Sequence, residues 1–328
     1  MKVSIALATY NGAHYLKQQL DSIQAQTHLP DELVVCDDCS EDSTVKILKE
    51  FKDTASFFVN IIQNKSNLGY TGNFEKAISF CTGELIFVCD QDDFWFRKKI
   101  ETMTIYMRTH QEVFIAINDA EVVDMYLHPT GITKQQQIRN LYGDTDRFIP
   151  GCCSVFRSSW KSLFLPFPAE YEAYDGWLHY IGKTLDCRAV VKTPLQYYRI
   201  HDKNTSDFAP NSTHKLGVSD RVGYIWGRIF KNQKRLKLES LKVQIEMQRL
   251  LLDRIKVILK NSDERLFYPC TPLFVKKIEW RTSILKLRFK NIRYLSLILT
   301  GKLVIILILK GRKSGLTWKG LISDLLTR

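Results

Sequence analysis

The segment VCDQDDFWF, residues 88–96, places three carboxylates within four residues. Asp90, Asp92 and Asp93 directly follow the apolar run ELIFVC. Acidic side chains at the end of a buried strand are costly unless they are paired. Two carboxylates at this spacing can bring a divalent cation and a diphosphate together, because Mg²⁺ and Mn²⁺ prefer oxygen ligands and often share them with substrate phosphates. The spacing therefore indicates a metal and diphosphate site, although any acidic loop can supply such a pair.

Strands and helices alternate along the first 120 residues. Apolar runs such as KVSIALAT and DELVVCD predict buried strands, and the spacing of Leu16, Leu20 and Ile23 predicts a helix between them. This alternation is typical of parallel βαβ units in a doubly wound, Rossmann-like sheet. We therefore predict the α/β class, with a mostly parallel central sheet whose ligands bind at the carboxyl ends of the strands.

Polar residues collect at the carboxyl ends of four predicted strands. They are Thr9, Tyr10 and Asn11 after the first, Asp37 and Asp38 after the second, Asn67 after the third, and Asp90 and Asp92 after the fourth. Turns are polar in most proteins, so this placement alone has a structural explanation. The second and fourth strands are apolar until they end and then turn acidic at once, which favours a binding site at this rim.

The net charge of +12 is unevenly distributed along the chain. Residues 1–210 are weakly acidic, whereas residues 211–328 carry a large excess of Lys and Arg. Such a basic region suggests contact with a polyanion or with an anionic membrane surface. Its basic residues are interleaved with long aliphatic runs and form no recognisable nucleic-acid module, so we expect no nucleic-acid partner.

The rear of the chain contains a predicted helix at 235–260 and an apolar segment at 294–309. The segment is shorter than the about 20 apolar residues that a membrane span needs, and it contains Gly301 and Lys302. Its basic flanks predict insertion into one anionic leaflet, with a buried helix as the alternative. We predict a catalytic domain at 1–210, with halves that meet near residue 120, and a helical, basic, membrane-associating region at 211–328.

The 8 cysteines are expected to be reduced thiols in the cytoplasm, because Lys2 and a strand-like run follow Met1 where a signal peptide would need a longer apolar region. Cys36 and Cys39 form one CxxC pair, but a zinc site needs about four ligands. Buried packing is therefore favoured over a metal or redox role for this pair.

Three segments taken together resemble the family 2 glycosyltransferases, which have the type A fold. They are LATYNGAHYLKQQLDSIQAQTHLPDELVVCDDCSEDST, NKSNLGYTGNFEKAI and GELIFVCDQDDFW. The resemblance covers residues 1–120 in close order and extends more loosely to residue 205. DQDDFWFRKKI is most similar to the rhamnosyltransferase-like branch. Cys39 departs from the family pattern, which has a small residue after the paired aspartates.

The resemblance implies a role for each matching position. The residues that bind the nucleotide sugar would be Thr9, Tyr10, Asn11, Asp37, Asp38, Asn67, Gly69, Asp90 and Arg199. Asp92 and His201 would hold Mn²⁺ or Mg²⁺, and Asp175 would deprotonate the acceptor hydroxyl. Trp95 and Trp177 would stack on the acceptor sugar, or would be core residues. The structural alternatives are a helix N-cap for Asp93 and Asp175, and a contact with a loop carbonyl for His201.

The reaction implied is an inverting, metal-dependent transfer from dTDP-rhamnose or a UDP-hexose to a saccharide acceptor. The resemblance also implies bacterial surface polysaccharide synthesis, with a lipid-linked acceptor at the inner face of the cytoplasmic membrane. The oligomeric state is left open. A nucleotidyltransferase is a weaker alternative, because its usual glycine-rich phosphate loop is missing from ATYNGAHY. A transferase-like scaffold or membrane-binding protein is a third, against which the intact acidic residues argue.

Overall fold

The computed structural model describes residues 1–142, 150–168, 173–202, 204, 233–261 and 272–294. The chain divides into two compact units, Met1–Arg221 and Val222–Arg328. All of the predicted site residues lie in the first unit, which contains the sheet. The predicted boundary at 210 falls in a stretch outside the described residues, so it stays a prediction.

The first half of the sheet is parallel, as predicted. Its strands are β1 (Val3–Thr9), β2 (Glu32–Asp37), β3 (Phe58–Gln63) and β4 (Leu85–Cys89), in the order β3-β2-β1-β4. The connecting helices are α1 (Ala13–Gln24), α2 (Thr44–Thr54) and α3 (Gly69–Phe80). Because these strands run in one direction, their carboxyl ends form one rim.

The second half of the sheet is mixed. Its strands are β5 (Phe94–Trp95), β6 (Ile115–Val123), β7 (Pro129–Thr133), β8 (Ser154–Arg157) and β9 (Arg188–Arg199). Its helices are α4 (Lys99–Thr109), α5 (Lys134–Tyr142), α6 (Lys161–Phe164) and α7 (Tyr174–Thr184), with short 3₁₀ helices at Gly151–Cys153 and Ser158–Trp160. The order continues β4-β8-β6-β9-β5, and β7 pairs with β6. Strand β8 is antiparallel to both of its neighbours and separates the fifth predicted strand from the fourth.

Strand β9 runs through Pro194 without a break. Pro194 lies opposite Asp119, at a point where the register between β6 and β9 shifts. A proline lacks the N–H that a regular ladder needs, and an irregularity of this kind accommodates it. Strand β9 is parallel to β6, and β6 has the same direction as β4 because both are antiparallel to β8. The end of β9 therefore reaches the same rim as the end of β4.

The described residues of the second unit form two long helices, α8 (Gln233–Asn261) and α9 (Pro272–Tyr294). They pack against each other, with Thr282 Oγ1 donating to Gln248 Oε1 over 2.8 Å. Helix α8 confirms the helix predicted at 235–260. Within the part of the chain that the structure describes, no helix has the length and hydropathy that crossing a bilayer requires. Residues 295–309 of the predicted apolar segment lie outside the described residues.

Candidate active site

Asp92 and His201 face each other at the rim of the sheet. Asp92 lies in the loop between β4 and β5, and His201 follows the end of β9. Asp92 Oδ2 and His201 Nε2 are 3.0 Å apart, although 109 residues separate them in the sequence. Their side chains are 17% and 6% exposed. The structure thus brings together the two residues that were predicted as metal ligands.

A second group of potential ligand atoms lies beside this pair. Carboxylate oxygens of Asp90 and Asp93 and the sulfur of Cys152 all lie within 4.8 Å of one another. Burial, followed by the charges of Asp92, Asp93 and Asp175, raises the pKa of Asp90 well above its usual value. Carboxylates crowded in this way repel each other unless a proton or a cation intervenes. Carboxylate oxygens with one imidazole nitrogen are a donor set that fits Mn²⁺ or Mg²⁺.

Asp93 is a buried side chain beneath the loop rather than a helix N-cap. Helix α4 begins only at Lys99, so the predicted capping role is wrong. Asp93 is 2% exposed and accepts hydrogen bonds from Gln196 Nε2 at 2.8 Å and from the Arg199 N–H at 3.3 Å. Burial and the neighbouring Asp92 raise the pKa of Asp93 to about 7. Lys99, also fully buried, donates to Gln196 and to the Cys152 carbonyl.

Arg199 contacts the acidic loop from the interior of the protein. Its side chain is enclosed, with the residue 2% exposed. The guanidinium donates to the Asp92 carbonyl at 2.7 Å, to the Met125 carbonyl at 2.7 Å and to Gln18 Oε1 at 2.6 Å. It also lies 4.5 Å from the centre of the Tyr15 ring. These three bonds direct the guanidinium toward protein acceptors, and a contact of Arg199 with a phosphate stays a prediction.

The end of β1 is locked to the end of β2 by side chains. Thr9 Oγ1 donates to Asp37 Oδ1 at 2.9 Å, and Asp37 also accepts from the N–H and hydroxyl of Ser40. Thr9 and Asp37 are each 1% exposed, so their visible role is to shape the rim. Tyr10 is 50% exposed and Asn11 is also exposed, which leaves these two side chains accessible at the rim. Nucleoside contacts by these four predicted residues remain predictions.

Asp38 organises the turn before α3. Its carboxylate accepts hydrogen bonds from the N–H groups of Leu68 at 2.8 Å and Gly69 at 2.9 Å. Asn67 Nδ2 donates to the Asp38 carbonyl at 3.2 Å, and Gly69 has a φ of 73°, which suits glycine. The structure thus brings Asp38, Asn67 and Gly69 together. Asn64, which the sequence analysis missed, donates to the same carboxylate at 2.8 Å.

Asp175 lies in the first turn of α7, next to the acidic cluster. Ala173 is the residue before the helix, so Asp175 is not the N-cap. Burial raises the pKa of Asp175 to about 6, against the opposing effect of the N–H groups of Gly176 and Gly151. Gly151 directly precedes Cys152, whose sulfur adjoins Asp90. A carboxyl group with a pKa near neutrality is well suited to act as a general base.

Trp95 and Trp177 are core residues. They are 1% and 0% exposed, and the Trp177 indole N–H donates to the Phe164 carbonyl at 3.1 Å. Trp95 packs against Phe87 and lies beneath the Lys99 ammonium group. Neither ring presents a face on which a sugar could stack, so the predicted acceptor-binding role is wrong for both.

The comparisons with known proteins agree with this arrangement of sheet and rim. The family model for glycosyl transferase family 2 matches residues 4–164. E. coli WfaP, a UDP-Glc:α-D-GlcNAc-diphosphoundecaprenol β-1,3-glucosyltransferase, is 29% identical over 207 residues, which are 62% of this chain and 79% of that protein. E. coli WfgD, which has the same descriptive name, is 29% identical over 184 residues, 54% of this chain and 68% of that protein.

Solved structures show the same fold. S. aureus TarS 1–349, in complex with UDP-GlcNAc, superposes with a TM-score of 0.53 at 17% identity and covers 89% of this chain and 87% of its own. The sheet therefore has the type A fold of the glycosyltransferases. Residues 4–164 form a glycosyl transferase family 2 domain. The rhamnosyltransferase-like branch stays a prediction.

Proposed function

We propose that this chain transfers a sugar from a nucleoside diphosphate donor to a lipid-linked saccharide during synthesis of a bacterial surface polysaccharide. One observation carries the proposal: Asp92, which faces His201, and Asp175 both lie near the half-buried Asp90 carboxylate, whose pKa is raised by burial and then by their charges. The Asp92–His201 pair suits the diphosphate of a donor, and Asp175 suits the hydroxyl of an acceptor. Asp90 would contact the donor sugar or ribose.

The residues divide the reaction between binding and proton transfer. Asp92 and His201 would hold Mn²⁺ or Mg²⁺, which when bound offsets the negative charge that develops on the leaving diphosphate. Asp175 would accept the proton of the acceptor hydroxyl as its oxygen attacks the anomeric carbon from the face opposite the leaving group. Such a single displacement inverts the anomeric centre and needs one carboxylate base.

The donor is proposed to carry a pyrimidine nucleotide. The names of WfaP and WfgD specify UDP-Glc, which supports a UDP-hexose. The DQDDFW motif supports dTDP-rhamnose instead, so both donors belong in the test. The same two names specify a diphosphoundecaprenol acceptor, which supports a lipid-linked saccharide here.

The basic region at 211–328 is proposed to bring the enzyme to the inner face of the cytoplasmic membrane, where such an acceptor is anchored. Flotation with vesicles of phosphatidylglycerol and phosphatidylcholine tests this placement. Binding that requires the anionic lipid and falls with salt supports it. If the protein floats equally well with purely neutral vesicles, or with neither kind of vesicle, the proposed membrane placement is wrong.

A donor screen tests the catalytic proposal. Purified protein with Mn²⁺ or Mg²⁺ is incubated with UDP-glucose, UDP-galactose, UDP-N-acetylglucosamine or dTDP-rhamnose, and thermal stability and slow donor hydrolysis are followed. We expect one donor to stabilise the wild type and to be hydrolysed, and we expect both effects to be lost in Asp92→Ala. A folded protein that responds to no donor and to no free nucleoside diphosphate would instead favour a scaffold.

A further inference from the structure

Gln91, the middle residue of the Asp90–Asp92 loop, is bonded to the loop that follows β1. Its Oε1 accepts from the Tyr10 N–H at 2.9 Å, and its Nε2 donates to the Tyr10 carbonyl at 3.0 Å. A carboxamide has distinct donor and acceptor ends, so this two-point contact fixes the orientation of the amide. One side chain thus satisfies both main-chain groups of Tyr10.

Gly12 leaves the room that this contact needs. A Cβ atom on Gly12 would lie 2.0 Å from Gln91 Oε1 and 2.4 Å from its Cδ. No side chain fits there while the amide stays on Tyr10. The β1 loop therefore closes over Gln91, and the contact depends on residues from both loops.

The other side of the β1 loop is bonded to the loop that follows β2 and to the first residue of α2. The N–H groups of Asn11 and Gly12 donate to the hydroxyls of Ser40 and Thr44, each at 2.9 Å. The β1 loop is consequently held between the β2 loop, where nucleoside contacts are proposed, and the acidic loop, where the cation is proposed. Gln91 provides the connection on the acidic side.

We infer that Gln91 is a positioning residue that couples binding of the pyrimidine nucleoside to binding of the divalent cation. Gln91 directly precedes Asp92, so a cation that fixes the Asp92 carboxylate also fixes Gln91 and, through its amide, the main chain of Tyr10. Linkage requires the reverse effect to be equally large. The inference rests on the proposed function, because it takes the nucleoside and the cation from that proposal.

Uridine is the probe that isolates this coupling, with thymidine as the second probe. Neither nucleoside has a phosphate, so neither can share the cation directly, and any dependence of its affinity on Mn²⁺ passes through the protein. We expect Mn²⁺ to raise the affinity of the wild type for one of the two nucleosides by at least about fivefold, the lower end of typical couplings. Calorimetric titrations with and without Mn²⁺ measure this ratio.

Two variants remove the contact in different ways. Gln91→Met keeps a side chain of similar length but has neither the amide donor nor the acceptor. Gly12→Ala keeps Gln91 but displaces its amide, and it carries the test if Gln91→Met does not fold. Gln111→Met makes the same chemical change at an exposed residue after α4 and is the matched control. We expect the coupling ratio to fall to near one in the first two variants and to stay at its wild-type value in the control.

Titrations with UDP and dTDP separate this inference from the proposed function. A diphosphate contacts the cation directly, so Gln91→Met should retain most of its Mn²⁺-dependent affinity. A wild type that binds a diphosphate with Mn²⁺ but binds nucleosides equally well without it overturns the coupling alone. A folded Gln91→Met variant whose coupling ratio equals that of the wild type also overturns the coupling alone. A wild type that binds neither diphosphate overturns the proposed donor class, and the coupling falls with it.

Discussion

Asp175→Asn separates the proposed catalytic role of the carboxylate from its effect on stability. Asparagine has nearly the same shape but cannot act as a base. We expect turnover to fall by about 10²–10⁴-fold, the usual contribution of general base catalysis. Donor binding should stay unchanged, because the proposed role of Asp175 concerns the acceptor hydroxyl. In the wild type, kcat/KM should fall as the pH drops below about 6, where the carboxylate becomes protonated.

The same substitution should change how stability depends on pH. Burial raises the pKa of Asp175 from 3.8 to about 6. The folded state therefore holds this proton more tightly than the unfolded state does, and the resulting stability is present at low pH and lost as the pH rises through about 6. A shift of this size corresponds to about 3 kcal/mol in full, of which about 2 kcal/mol is lost between about pH 4.5 and about pH 7.5.

Urea unfolding at these two pH values measures the difference. The free energy of unfolding of Asp175→Asn, relative to the wild type, should rise by about 2 kcal/mol over that interval. Hydrogen bonds from the Gly176 and Gly151 N–H groups to the asparagine carbonyl do not vary with pH, and in the wild type their effect is contained in the pKa of Asp175. Asp53→Asn, the same change at an exposed position on α2, is the control for a lost charge. Full turnover in Asp175→Asn refutes the role as base, and a relative stability that does not vary with pH refutes the argument from burial.

Three further substitutions test the rim and the core. Asp92→Asn should abolish the stabilisation by Mn²⁺ that the wild type shows in thermal-shift titrations. A thermal shift retained in this variant would mean that Asp92 is not a ligand of the cation. Gly151→Ala would place a Cβ 2.0 Å from Tyr174 Oη, so urea unfolding should show a loss of about 1–3 kcal/mol. The loss should be smaller in a Tyr174→Phe background, and equal losses would contradict the clash. Trp177→Phe should lower the free energy of unfolding by about 1–3 kcal/mol and leave the KM for acceptor unchanged; a raised KM would restore a role in acceptor binding.

The parallel half of the sheet could be predicted because its signals are local. Each strand from β1 to β4 is an apolar run, and each connecting helix shows apolar residues three and four positions apart. The order of the other strands could not be predicted in this way. Strands β5 and β8 contain two and four residues, too few for a clear alternation, and their positions depend on pairing with residues distant in the sequence.

The site was predicted best where the family resemblance matches polar residues at the rim and least well where burial decides the role. The resemblance implied that Asp92 and His201 lie together, because it assigned both residues to one cation. The positions of Arg199 and Trp95 depend instead on what covers them. Arg199 is enclosed because Gln18 and two main-chain carbonyls accept from its guanidinium. Trp95 points inward because β5 pairs with β9 immediately after the acidic loop.

Packing alone does not explain the three acidic residues Asp90, Asp93 and Asp175. Asp90, Asp93 and Asp175 all have carboxyl pKa values raised by burial, so each ionised form costs the folded protein stability at neutral pH. A sequence selected only for stability would replace at least one of them with an amide. Their presence near one point of the rim is explained if a bound cation and the transfer of a proton offset that cost. The Mn²⁺ titrations test the effect of the cation, and Asp175→Asn tests the proton transfer.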